Sequence, residues 1–271
     1  MYQTFFNCRN IISLPVGLTN QLRFDYVTNA YRALCLCYNL NINISNCNFG
    51  NVINLNQTFQ ECKNITGNPF SSSKVTDMYY AYTNCSNLTG IGRCGENVIQ
   101  FSYAYYGCTN ISGAELCSKL TSIGLYTYAY ANCNNLKSIN CNANGSTLYS
   151  SVFLNSDLSK VTSMTFNGNC TNLYRAFYNI PNLNNTVNIY IGDSVTNISQ
   201  AFTHCYNLKG KLSGGNNITN MAETFYNCHS LKGPPICGPQ VTNMWNAYRW
   251  CHSMKGSPVC GNNVTIFWSA Y

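Results

Sequence analysis

Residues 241–254 read Val241-Thr242-Asn243-Met244-Trp245-Asn246-Ala247-Tyr248-Arg249-Trp250-Cys251-His252-Ser253-Met254. One period upstream, Met221-Ala222-Glu223-Thr224-Phe225-Tyr226-Asn227-Cys228-His229-Ser230-Leu231 repeats the same order of residue types, and so does Met78-Tyr79-Tyr80-Ala81-Tyr82-Thr83-Asn84-Cys85-Ser86-Asn87-Leu88. The shared pattern is M-x-x-[AT]-[FY]-x-x-C-x-[NS]-[LM]. Its Cys slot recurs at Cys8, Cys37, Cys62, Cys85, Cys108, Cys133, Cys205, Cys228 and Cys251. Between Cys133 and Cys205 the slot is best filled by Ser156 and Ile180, with Phe153 and Phe177 in the aromatic position. Cys170-Thr171-Asn172-Leu173 offers a rival register there, so 142–190 is the degenerate stretch. A repeat of 20–50 residues is the signature of a solenoid, because one unit cannot bury its apolar stripe alone and stacked units can. The expectation is a single solenoid over residues 1–271, of about 11 coils and usually 23–25 residues per coil.

Within a unit, Met, Ala or Thr, the aromatic and Cys fall at relative positions 0, 3, 4 and 7. That is one face of two helical turns, so the spacing predicts a short helical segment. A turn follows, as at Thr66-Gly67 and Lys232-Gly233, and then a short extended segment. Thirteen residues after the Cys comes a β-branched residue: Val75, Val98, Ile218, Val241 or Val264. The aromatic slots Phe5, Phe59, Tyr82, Tyr105, Tyr130, Phe153, Phe177, Phe202, Phe225 and Tyr248 are expected to stack as an internal ladder.

The composition narrows the function classes. Charged residues make up 8% of the chain, against a usual figure of about 25%. The net charge of +7 is spread over isolated Lys and Arg residues, which makes nucleic acid an unexpected partner. There is no run of about 18 apolar residues, so membrane insertion is not expected. The polar surface is left to Ser, Thr, Tyr and, above all, 43 Asn residues. That choice suits an extracellular, cell-surface or virion protein.

The recurring A-F-x-x-C-x-x-L core and its V-T-N-M-x-x-x-F-x-x-C-x-x-L form resemble the BspA-like leucine-rich repeat, over essentially the whole chain. The resemblance implies an α/β, right-handed leucine-rich-repeat solenoid with short strands on one face and helical or irregular segments on the other. It also implies binding or adhesion rather than catalysis.

The side chains give catalysis little to work with. Eight acidic residues are scattered, and there is no G-x-S-x-G, P-loop or H-E-x-x-H pattern. His204, His229 and His252 each adjoin a ladder Cys, but the first precedes its Cys and the others follow theirs. Neither a metal site nor a cofactor is expected. Ladder cysteines alternate with Ser156 and Ile180, so they read as buried thiols acting as small hydrophobes.

What remains is the surface. Tyr80, Tyr103 and Tyr128 share the slot two places after Met, and Lys209, Lys232 and Lys255 share one three repeats long. A solenoid turns such recurrences into rows, and rigid amphipathic tyrosines suit a protein or glycan ligand. Both ends present repeat cross-sections: Met1, Phe5 and Ile11 at one, Val264, Phe267 and Tyr271 at the other. Successive slices of one repeat are complementary in shape, so head-to-tail self-association in a filament or fibre is the alternative expectation.

Overall fold

Each repeat closes by pairing its backbone with the next. In a computed structural model, residues 2–13, 24–116, 127–141, 152–167, 170–183, 186–210, 212–232, 237–256 and 259–269 are described. The chain divides into two compact units: Met1–Leu120, Gly124–Leu136 and Ser151–Ser156 form the first, and Thr121–Ile123, Lys137–Ser150 and Asp157–Tyr271 the second. In the first unit, β1 (Ile91–Gly92) pairs in parallel with β2 (Gly113–Leu116). In the second, β3 (Ser138–Cys141), β4 (Ser163–Phe166), β5 (Asn188–Ile191) and β6 (Leu212–Gly214) follow one another as parallel neighbours. This is a parallel β-solenoid. Its strands alternate as a half-buried ladder should, with Ile139 and Cys141, Met164 and Phe166, and Ile189 and Ile191 turned inward.

One expectation is met only in part, and another needs correction. Regular strands are fewer than the 11 coils expected: among the described residues they stand at six places. Elsewhere the coil-to-coil pairing shrinks to single bridges, such as Asn54↔Asp77↔Gln100 and Asn197↔Asn220↔Asn243↔Ile266. The expected helical segments are not formed either. Among the described residues, helix is confined to a 3-10 turn at Ile44–Asn46 and to Val152 at the edge of a described stretch.

The 0, 3, 4, 7 segment is instead a run of β-turns. In the coil of Met78, Ala81 N–H donates to Met78 O at 3.0 Å and Cys85 N–H to Tyr82 O at 3.1 Å. Tyr80 and Asn84, third in these turns, have φ of 54° and 59°. That is the type II geometry, which requires a left-handed residue at this position. The alternate N–H groups of Met78, Tyr80, Tyr82 and Asn84 point along the solenoid and donate to Gln100, Ser102, Ala104 and Tyr106 in the next coil. A helix would have kept those donors for its own turns. Consecutive turns return the chain to one face as often as a helix does, so the two structures share a hydrophobic period.

This geometry accounts for the asparagines. The second left-handed slot, one place before Cys, most often holds Asn, at Asn7, Asn84, Asn132, Asn155, Asn179 and Asn227; Gly107 fills it once, and Leu36, Glu61, His204 and Trp250 fill it in the other coils. Asn and Gly tolerate φ > 0 better than other residues. A second set lies just before the Met slot. There Asn29, Asn54, Asn172, Asn197, Asn220 and Asn243 accept the backbone N–H two residues on, and Asp77 does so in its own coil. Short polar side chains of this kind bond their own backbone and so initiate turns.

The interior is layered. Phe59, Tyr82, Tyr105, Tyr130 and Phe153 stack with centroids 5.3–5.8 Å apart in the first unit, and Phe177, Phe202, Phe225 and Tyr248 do so at 5.3–5.7 Å in the second. The buried tyrosines cross the coil: Tyr82 Oη donates to Phe70 O, Tyr105 Oη to Arg93 O at 2.8 Å, and Tyr130 Oη lies 2.6 Å from both Gly92 O and Glu115 O. The Cys slot has a uniform role. Cys62, Cys85, Cys108, Cys205, Cys228 and Cys251 point Sγ at the carbonyl of the residue in the aromatic slot one coil back, at 2.9–3.1 Å. Ser156 Oγ makes the same bond to Tyr130 O at 2.7 Å, which is why serine can replace cysteine there. The register at 142–190 follows: Ile180 is buried in the Cys slot. Cys170 is not in it, because Asn172 takes the bridging position with Asn197 and so puts Leu173 in the Met slot. The ladder cysteines are free thiols.

Candidate functional site

The candidate binding surface lies on the outer side of these turns. Tyr80, Tyr103 and Tyr128 occupy the first left-handed slot of their coils, with φ of 54°, 57° and 55°. The same slot carries Arg32, Gln57, Arg175, Gln200 and Glu223 at similar φ, so the strained backbone belongs to the turn and not to the tyrosines. Each of the three tyrosines is half-buried.

The structure brings these three together as a row. Tyr80 and Tyr103 stack at 4.5 Å with an 11° tilt, and Tyr103 and Tyr128 follow at 5.1 Å. Tyr79 meets Tyr80 edge-on at 4.5 Å, and Tyr106 lies 5.7 Å from Tyr103. Burial, and then the neighbouring Tyr79 and Tyr103 hydroxyls, push the Tyr80 phenol up to about 12. Burial also pushes Tyr103 up, with Tyr128 as the next cause. The row is a strip of apolar ring and hydrogen-bonding hydroxyl.

Sequence reasoning missed what stands beside the strip. A recess of about 290 Å³ is lined by Tyr103, Tyr106, Tyr128, Ala131, Asn132, Leu154 and Asn155. Leu154, 44% exposed, and Asn155 come from the degenerate coil around Ser156, where no row was legible. The repeat offered one signal: the Tyr slot of that coil is Ser151, so the aromatic row stops after Tyr128.

Lys209, Lys232 and Lys255 are each exposed, in successive coils of the second unit. The histidines do not converge. His204 lies edge-on to Tyr178 and Tyr226, whereas His229 and His252 neighbour each other at 5.3 Å. Among the described residues no group of three or more His, Cys, Asp or Glu side chains is placed to hold a metal ion. No helix among them is long and apolar enough to cross a membrane. Of the residues expected at the ends, Phe5, Ile11 and Val264 are half-buried and Phe267 is 44% exposed, while Met1 and Tyr271 lie outside the described residues.

The family "BspA type leucine rich repeat region" matches the chain in overlapping stretches, at residues 2–126, 56–183 and 128–255. No functionally curated protein matches. Among solved structures, a leucine-rich repeat protein from Bacteroides ovatus ATCC 8483 is similar at 16% identity over 97% of this chain and 76% of that one, with a TM-score of 0.43. A leucine-rich cell surface protein from Faecalibacterium prausnitzii A2-165 is similar at 16% identity over 96% of this chain and 82% of that one, with a TM-score of 0.38.

Proposed function

Because the chain belongs to the BspA-type leucine-rich repeat family, we propose that it is a non-enzymatic, extracellular recognition module that holds a protein or glycan ligand on its repeat surface. We read its period as about eleven right-handed coils, the number carried by the recurring Cys slot. The observation that carries the functional reading is the stacked tyrosine strip ending beside an open recess. Tyrosine gives large contact area at low conformational cost, and its ring face and hydroxyl serve both sugars and protein backbones. The Asn132 and Asn155 amides at the same recess add donors and acceptors. The exposed lysines of the second unit offer a separate point for acidic groups on a partner. A polar surface with few charges and a disulfide-bonded Cys94 suit an oxidising setting outside the cell.

A glycan array, with an immobilised cell-surface protein fraction run in parallel, tests this reading. Tyr128→Ala is expected to weaken binding about 30-fold or more, as for a contact tyrosine worth about 2 kcal/mol. Tyr103→Ala should act in the same direction, and the thermal midpoint should move little for both. Equal binding by wild type and both variants, on whichever surface retains the protein, would reject the tyrosine strip.

A second reading, a subunit stacking head to tail, is favoured by one cluster. Val259, Ile266, Phe267 and Trp268 are 64%, 48%, 44% and 72% exposed. Covering a few hundred Å² of such surface at about 25 cal/mol per Å² yields several kcal/mol, offset by association costs of similar size. The 271-residue chain is therefore expected to self-associate weakly and with concentration. Phe267→Asp should suppress that association by burying an unpaired charge. A monomeric sedimentation profile up to millimolar concentration would remove this reading and leave the first intact.

A further inference from the structure

The cysteines outside the ladder behave differently from those in it. Cys237 and Cys260 each lie nine residues after a ladder cysteine, Cys228 and Cys251, in successive coils of the second unit. The backbone N–H of Cys237 donates to Val259 O at 3.2 Å, which brings Cys237 opposite Cys260 in the parallel register. Register neighbours on parallel strands stand about 4.8 Å apart, within the Cα span of about 4.4–6.8 Å that a disulfide bridges. The two side chains are near enough that the Cys260 thiol acts directly on that of Cys237. Neither is committed as the ladder thiols are: Cys237 Sγ is a long 3.6 Å from Val259 O, and Cys260 Sγ faces Met244 Sδ at 3.3 Å. The first unit supplies a precedent at the same repeat position. Cys94, nine residues after Cys85, is disulfide-bonded.

We propose that Cys237 and Cys260 are a disulfide site that staples two successive coils, oxidised by exchange with a small-molecule disulfide such as oxidised glutathione. Cys260 is the half-exposed member and the entry point, while Cys237 is buried at 9% exposure. Burial, then the Cys260 thiol beside it, push the Cys237 thiol up to about 12, so it reacts second. The Cys260 thiolate attacks one sulfur of oxidised glutathione, and the first glutathione leaves as a thiolate. Cys237 then loses its proton and attacks Cys260 Sγ, releasing the second glutathione. Two protein thiols are oxidised, one disulfide is reduced, and the two protons finish on the two glutathiones. The cross-link closes a loop of one coil and restricts the unfolded chain.

The test uses the whole 271-residue chain, incubated natively with excess oxidised glutathione at pH 8. It is then unfolded, alkylated and digested with trypsin without reductant. Cleavage after Lys232, Arg249 and Lys255 places Cys237 in peptide 233–249 and Cys260 in peptide 256–271. The expected product is those two peptides joined, with Cys62, Cys85, Cys108, Cys205 and Cys228 recovered alkylated. The oxidised protein should melt at a higher temperature, and dithiothreitol should reverse the shift. Cys237→Ser should stop the reaction at a glutathione adduct on Cys260 and abolish the shift, with an unchanged circular dichroism spectrum for the reduced protein. Recovery of both peptides alkylated, a wild-type reaction that stalls at the adduct, or cross-links among ladder cysteines would each overturn the proposal.

Discussion

Tyr105→Ala is expected to destabilise the protein by about 3–5 kcal/mol, the cost of deleting a large buried aromatic. Tyr105 is fully buried, stacks on Tyr82 and Tyr130 at 5.3 Å on either side, and donates its hydroxyl to Arg93 O across the coil. Truncation would remove both stacking contacts and leave the Arg93 carbonyl without that donor. Tyr105→Phe isolates the second loss and should cost about 1–3 kcal/mol, since the ring remains and one buried acceptor loses its partner. Tyr103, two residues earlier, is the internal control. It is the same residue type in the same coil, but its side chain lies in the outer strip, so Tyr103→Ala should cost about 1 kcal/mol or less. Urea unfolding followed by circular dichroism measures all three. Equal losses for Tyr103→Ala and Tyr105→Ala would mean that the outer tyrosines belong to the core, and the binding reading would fall with them.

The contrast between these two tyrosines marks what the amino-acid order reveals. The repeat placed Tyr105 in an internal ladder and Tyr103 outside it, and the structure puts them there. Stacking follows from the recurrence itself, because equal positions in successive coils must be neighbours. The turn run was not read, for a physical reason. A chain of β-turns and a helix share the 0, 3, 4, 7 apolar period, and periodicity alone does not separate them. The signal that does separate them was present in slots left as arbitrary. Asn84, Gly107, Asn132, Asn155 and Asn227 recur at the place before Cys or its substitute, more often than the Leu36, Glu61, His204 and Trp250 that also stand there. Asn and Gly exchanging at one slot means a left-handed residue, which the interior of a helix has no use for. Asn197, Asn220 and Asn243 say the same of the position before Met, where a side-chain oxygen starts the turn. The recess beside Tyr128 was beyond reach because two of its seven lining residues, Leu154 and Asn155, come from a coil whose Cys had become Ser156.

Two glycines separate a left-handed backbone from a close approach, and they set the last expectation. Gly107 has φ of 70° in the slot that Asn84 and Asn132 occupy at 59° and 58°. A Cβ there would meet Asn84 Oδ1, the far end of a side chain that can move. Gly107→Asn should therefore cost no more than about 1 kcal/mol, because asparagine already serves in the neighbouring coils. Gly214 has φ of 77° at the end of β6, and a Cβ would lie 2.1 Å from Ile191 O, which is backbone. That carbonyl also accepts the Gly215 N–H at 2.8 Å, so the chain is wrapped closely around it. Gly214→Ala must push β6 away from β5, weaken the Gly215 bond and hold alanine in a left-handed conformation. Overpacking of about 1–3 kcal/mol and a backbone penalty of about 1 kcal/mol give an expected loss of about 2–4 kcal/mol. Denaturant midpoints at constant slope measure both variants. If Gly214→Ala proved as mild as Gly107→Asn, the close approach of β6 to the Ile191 carbonyl would be wrong, and with it the register in which the last strand closes the ladder.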